Sequence, residues 1–158
     1  MITLRPVTME NIGAIMKLKA DEKLVGPNSY SLAEAYVFAT ECNVELLLTR
    51  GIYFDEALVG FLMAYLELGP EGVYDNNGEP YFYLWRFMID ENHQNKGYGR
   101  KAMEILIDEL KSGVHGNATA FYTSTAPVST VTPKFYRSFG MVATGEMDDD
   151  ETVLRMSW

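Results

Sequence analysis

Apolar and polar positions change period several times along the chain. Residues 2–7, ITLRPV, alternate with the two-residue period of a half-buried strand. Thr8 can cap a helix, and Ile12, Ile15 and Met16 then share one face, predicting a helix to about residue 20. DEKLVGPNSY carries Gly26 and Pro27 and predicts a loop. Ser31 and Glu34 have the S-x-x-E spacing of a capping box, which predicts a second helix from Ser31 to about Cys42. ELLLTRGIYFDEALVGFLMAYLEL then reads as two strands turning at Asp55 and Glu56. Residues 69–80 are a turn-rich connection containing the hairpin signal Asn77-Gly78. YFYLWRFMI, residues 81–89, is a third strand whose aromatic and β-branched content suits burial on both faces.

A helix over 97–111 places Lys101, Glu104, Asp108 and Lys111 on one face and Ala102, Ile105, Leu106 and Leu110 on the other. Residues 118–125 predict another strand. Pro133 suits the first turn of a last helix, 134–139, which Gly140 ends. MVATGEM and ETVLRMSW predict a closing hairpin around the acidic turn 148–150. This order predicts a single α/β domain over 1–158. Its sheet is mixed and largely antiparallel, with helices on both faces and one parallel crossover through the helix that opens at Gly97.

Composition narrows the class. The 158 residues suit one domain, and an apolar share of 47% excludes wholesale disorder. No apolar run approaches the ~20 residues of a membrane span, and MITLRPVTMENI lacks the apolar core of a signal peptide. Cys42 is the only cysteine, which excludes an internal disulfide, and it reads as a structural thiol rather than a nucleophile. The expectation is a cytoplasmic protein with no membrane partner. A net charge of −9 argues against nucleic acid as a partner. It is compatible with a cationic small molecule, and equally with a surface that is acidic for solubility.

The candidate chemistry lies in WRFMIDENHQNKGYGRKAMEIL, residues 85–106. A strand ends, an amide-rich and basic turn follows, and a helix opens between two glycines. The first N–H groups of a helix have no intrahelical acceptor and carry partial positive charge. Gly97 and Gly99 let a group approach the backbone, Gln94 and Asn95 add amides, and Lys96, Arg100 and Lys101 add charge. A phosphate or pyrophosphate suits such a turn. The residues alone leave open an ordinary helix start whose glycines serve close packing. GYGRKA also fits G-x-G-x-x-A, but the gap from Ile89 to Gly97 and the missing acidic residue about 20 positions on weaken a dinucleotide reading.

QNKGYG resembles the Q/R-x-x-G-x-G/A signature of the GNAT superfamily of N-acetyltransferases, and KFYRSFGM resembles that family's second signature. Within the superfamily, LWRFMIDENHQNKGYG is most similar to bacterial spermine/spermidine acetyltransferases. The resemblance implies a GNAT-type sheet in which the strand before the turn bulges and splays from its neighbour. It implies acetyl-CoA as co-substrate, with the pyrophosphate held by Gln94, Asn95, Lys96, Gly97, Tyr98, Gly99 and Arg100. Backbone groups of Phe87, Met88 and Ile89 would hold the pantetheine arm and polarise the thioester carbonyl. Tyr136, of the FY pair, would protonate the departing thiolate; the alternative is a core aromatic.

Departures from the family pattern fall on the acceptor side. Relatives often carry a carboxylate where Trp85 stands, so another acid, such as Glu67, would have to take the proton, or the amine would arrive neutral. Trp85 would stack on a cationic acceptor or fill the core. Ser129 stands where many relatives have an asparagine that contacts the coenzyme arm. Arg86 is expected on the strand face opposite Trp85, paired with an acid such as Asp90 or Glu91. Lys134 and Arg137 are either solvated or contacts for the coenzyme's 3′-phosphate. His93 and His115 read as surface residues, and no metal site is expected.

Acids (Asp21, Glu22, Glu34, Glu41, Glu45, Glu71, Asp75, Glu79) and aromatics (Tyr30, Tyr36, Phe38, Tyr74) on the acceptor side suit a polyamine, or simply a solvated surface. Another small amine, a protein amine and a non-catalytic coenzyme-A-binding sensor stay open. So does a homodimer, in which the C-terminal strand ending in Trp158 pairs across an interface or else closes the core.

Overall fold

The structure, a computed structural model, describes residues 1–20, 26–41, 46–69, 72–74 and 76–158. Asp21, Glu22, Cys42, Glu45, Glu71 and Asp75 lie outside the described residues. Seven strands form one sheet in the order β1-β2-β3-β4-β5-β7-β6. They are β1 (Ile2–Pro6), β2 (Leu46–Phe54), β3 (Ala57–Glu67), β4 (Tyr81–Ile89), β5 (Ala120–Thr125), β6 (Val142–Asp148) and β7 (Glu151–Ser157). The helices are α1 (Ile12–Ile15), α2 (Asn28–Glu41), α3 (Tyr98–Lys111) and α4 (Thr132–Arg137). Among the described residues only β4 and β5 pair in parallel, joined by the crossover through α3.

The sheet is covered on both faces, and strand alternation decides which residue goes where. On one face Phe82, Leu84 and Leu154 pack with Ala102, Met103, Leu106 and Leu110 of α3 and Tyr136 of α4. On the other, Tyr65, Tyr81, Tyr83, Tyr122 and Val153 form a tyrosine-rich cluster, continued by Phe61, Met63 and Met88 against Ile15 and Ala35 of α1 and α2.

Two expectations are corrected. The first helix spans only Ile12–Ile15, with Asn11 rather than Thr8 at its N-cap. Its continuation is drawn off by β4's end, because Lys19 N–H donates to Asp90 Oδ2 at 2.9 Å and Lys19 C=O accepts from Glu91 N–H at 2.8 Å. The second helix begins a turn earlier, at Asn28, so Ser31 lies inside it and is not a cap. Its hydroxyl instead accepts from Arg86 Nη1 at 2.8 Å. The C-terminal strand β7 is paired on both sides, by β5 and β6, so its backbone is used up within the sheet. Trp158 lies under Lys111 Nζ at 5.6 Å, and its N–H donates to Thr119 C=O.

Candidate active site

The site begins with one extra residue. Across β3 and β4, Met63 pairs with Arg86 and Ala64 with Leu84, leaving Trp85 without a partner on β3. Such a bulge bends the strand and resets its alternation. Before it, Phe82 and Leu84 face α3; after it, Phe87 and Ile89 do. Trp85 packs toward Phe38, and Arg86 binds Asn28 Oδ1 at 2.9 Å, Ser31 and the Gly26 carbonyl, so both side chains reach the α2 side. Arg86 is therefore not opposite Trp85, and among the described residues it forms no salt bridge with an acid. Burial lowers its pKa, with Glu34 acting the other way.

The bulge also ends the parallel ladder. Pairing of β4 with β5 covers Tyr81–Leu84 and stops. From Trp85 onward the strands diverge over a cleft of about 740 Å³. Trp85, Phe87, Met88 and Ile89 line it from β4. Gln94, Asn95 and Gly97 line it from the turn, and Tyr98, Gly99 and Arg100 from α3. Ser129 and Tyr136 close it from the α4 side. Lys96, Lys134 and Glu67 are not among its lining residues. Lys96 Nζ donates to Asn92 C=O at 2.9 Å, and Glu67 sits at the far end of β3, opposite Tyr81.

Local contacts explain how the turn is held. Asp90 accepts from the N–H groups of Lys19 and Asn92 and from the Asn92 amide. Burial alone would raise its pKa, but these donors lower it on balance. Gln94 Nε2 donates to Ile89 C=O at 3.0 Å, folding the turn back onto β4. Gly97 is the N-cap of α3 with φ 78°, and a Cβ there would meet nothing within 4 Å. Glycine is needed for the left-handed conformation, and the space above the helix end is open to a ligand. Gly99 differs: a Cβ there would touch Ile89 at 3.4 Å and Phe87 at 3.6 Å, ordinary contact distances where α3 packs on β4. Arg100 bonds Ser138 Oγ at 2.7 Å and lies over the Phe139 ring, tying α3 to the end of α4. Ser129 Oγ accepts from Thr132 N–H at 3.0 Å, which places the hydroxyl at the start of α4.

Tyr136 is buried on the α3 side of the gap, beside Thr123. Burial pushes its phenol above the usual range, partly offset by Thr123, so it stays protonated at neutral pH. Thr125 Oγ1 is buried in the cleft wall and has no hydrogen-bond partner among the described residues, a polar atom that a bound ligand would satisfy.

Sequence reasoning missed Glu151. It lines the cleft with Ser124, and it shares the alternation of Val153, on the sheet face opposite Tyr136. Ser124 donates to Glu151 Oε2, so the 3.0 Å contact between Tyr83 and Ser124 has the tyrosine as donor. No spacing in the sequence announces Glu151; it arrives because β7 lies beside β5. His93, read as a surface residue, also lines the cleft, while His115 bonds Glu109 at 3.2 Å. Among the described residues no group of three or more metal-ligating side chains gathers.

The architecture is that of solved acetyltransferases. An aminoglycoside acetyltransferase in complex with coenzyme A matches it with a TM-score of 0.74 at 14% identity, over 99% of this chain and 95% of that one. The PaiA N-acetyltransferase of Thermoplasma acidophilum, also in complex with coenzyme A, matches with a TM-score of 0.68 at 13% identity, over 100% and 99%. At that identity the likeness shows the fold. The chain belongs to the acetyltransferase (GNAT) family, which it matches over residues 13–141. Its relatives include a spermine/spermidine N(1)-acetyltransferase of Bacillus subtilis (strain 168), 33% identical over 93% of this chain and 91% of that protein.

Proposed function

We propose that the protein transfers the acetyl group of acetyl-CoA to a primary amine, and that the acceptor is a polyamine such as spermidine or spermine. The carrying observation is a cleft that opens through a split sheet, with Tyr136 on one face and Glu151 on the other. The residues present fit the coenzyme: an open, left-handed Gly97 at a helix N-terminus, a β4 edge left unpaired by β5, and the orphaned Thr125 hydroxyl. The polyamine reading rests on the 33% identical relative, on the net charge of −9, and on the paired carboxylates Asp148 and Glu151 beside the cleft.

The bound thioester supplies an acyl carbon open to attack by an amine. Backbone groups of β4 over Phe87–Ile89 polarise its carbonyl. Glu151, in place of the carboxylate missing at Trp85 and of Glu67, takes the proton from the ammonium so that nitrogen can attack. The N–C bond forms; as the tetrahedral adduct collapses the C–S bond breaks, Tyr136 gives its proton to the sulfur, and the nitrogen's second proton passes to solvent, leaving a neutral amide and a free thiol. Solvent restores both groups.

Free-thiol release from acetyl-CoA against a panel of amines tests the proposal. Turnover on spermidine and spermine is the expected result. Turnover confined to aminoglycosides or peptide amines would replace the acceptor, and coenzyme binding with no turnover on any amine would make the protein a sensor.

A further inference from the structure

Next to the cleft, with Trp85 as a shared wall, lies a second cavity of about 200 Å³. Its walls include Phe38 of α2, Tyr65 of β3, Tyr83 and Trp85 of β4, Tyr74 of the connection before β4, and Asp148 at the end of β6. The rings are inclined to one another rather than stacked. Phe38 and Trp85 stand at 71°, Tyr65 and Trp85 at 83°, and Tyr65 and Tyr83 at 52°. These are edge-to-face or tilted contacts with centroids 5.2, 6.1 and 5.4 Å apart, and a ring face turned to the cavity carries negative potential.

The sheet register builds this box. Tyr65 and Tyr83 are direct partners across β3 and β4. Two-residue alternation from Tyr83 places Trp85 on their face, and the bulge then brings Arg86 to the same side. Among the described residues, Asp148 is the only charged one in the lining. Tyr74 Oη donates to its Oδ2 at 2.6 Å, and among the described residues no basic side chain forms a salt bridge with it. Burial raises the pKa values of Tyr65, Tyr74 and Tyr83, so at neutral pH all three phenols are uncharged. A cavity walled by neutral aromatic rings and Val73, with one carboxylate, has the chemistry of an alkylammonium site. Its carboxylate and phenol groups distinguish it from a dry apolar void.

We propose that this box holds a second ammonium group of the acceptor while its primary amine lies in the cleft at Glu151. This inference rests on the acetyltransferase reading and adds what the acceptor must carry. Asp148 and Glu151 are direct cross-strand partners on one face. Such partners hold their Cβ atoms about 5 Å apart, which suits two nitrogens separated by a short alkyl linker of roughly three to five methylenes. Polyamines have this spacing, and monoamines lack the second charge.

The test compares n-butylamine with diaminoalkanes of increasing length as acceptors, in wild type, Asp148→Asn and Phe38→Leu. The first substitution keeps a carbonyl acceptor for the Tyr74 hydroxyl and removes only the charge. The expected result is a kcat/KM preference for short diamines over butylamine that falls about 3- to 30-fold in either variant, through KM. Calorimetry with a doubly quaternary bis(trimethylammonium) alkane, which cannot be acetylated, reads the box without turnover. Binding that weakens in Asp148→Asn supports the box even if no amine is acetylated. If amines are acetylated but the diamine preference is absent, or is unchanged in both variants, the box is overturned and the acetyltransferase reading stands.

Discussion

Glu151 and Tyr136 lie on opposite faces of one sheet and reach the same gap between β4 and β5. That placement gives two substitutions different signatures. Tyr136→Phe keeps the buried ring and removes only the proton donor. Steady-state turnover should fall about 10- to 10⁴-fold with coenzyme affinity unchanged. A merely structural Tyr136 would lose nothing, because its ring packs among Phe135 and its neighbours with or without the hydroxyl. Glu151→Gln should slow transfer most at neutral pH, where the amine is protonated. The deficit should shrink as pH approaches the amine's own pKa of about 10, since a neutral amine needs no proton acceptor. A pH–rate profile of the variant beside wild type reads the difference.

At the scale of elements, the segment from β4 to α3 carries the design. The bulge at Trp85 ends the parallel ladder, aims two consecutive side chains at α2 and opens the cleft. The two glycines that follow are not equivalent. Gly97→Ala meets no atom but must hold a left-handed φ, costing about 1–2 kcal/mol of stability. The new methyl enters the open space over the helix end, so coenzyme affinity should fall as well. Gly99→Ala touches Ile89 and Phe87 at ordinary distances and should change both quantities less. Thermal unfolding and calorimetric titration with coenzyme A distinguish the two. A double valine substitution would mix these effects, because a larger side chain at Gly99 presses on β4.

At the scale of the whole molecule, a charge of −9 sets up a field that favours cations. Between about 0.05 and 0.5 M salt the Debye length shrinks to a few ångström. The KM for spermidine should therefore rise several-fold, more steeply than for butylamine, with kcat little changed. Initial rates across a salt series check this. A salt-independent KM would confine the acceptor's attraction to close contacts in the cleft and box.

The sequence alone determined the element order, the mixed sheet with one parallel crossover, and the turn from Gln94 to Arg100. These are local: period-two and helical patterns, glycine at a helix start and two short signatures all lie within stretches of contiguous chain. It misjudged the first helix, because Asp90 competes for the backbone at Lys19 from 71 positions away. It misplaced Arg86, because one inserted residue inverts strand alternation and nothing in YFYLWRFMI marks where the insertion falls. Glu151, the orphaned Thr125 hydroxyl and the box around Trp85 were decided only by tertiary structure. Each depends on β7 settling between β5 and β6, and on α2 and the connection before β4 folding over one face. Distant residues meet there through sheet order, and sheet order leaves no periodic trace in the chain.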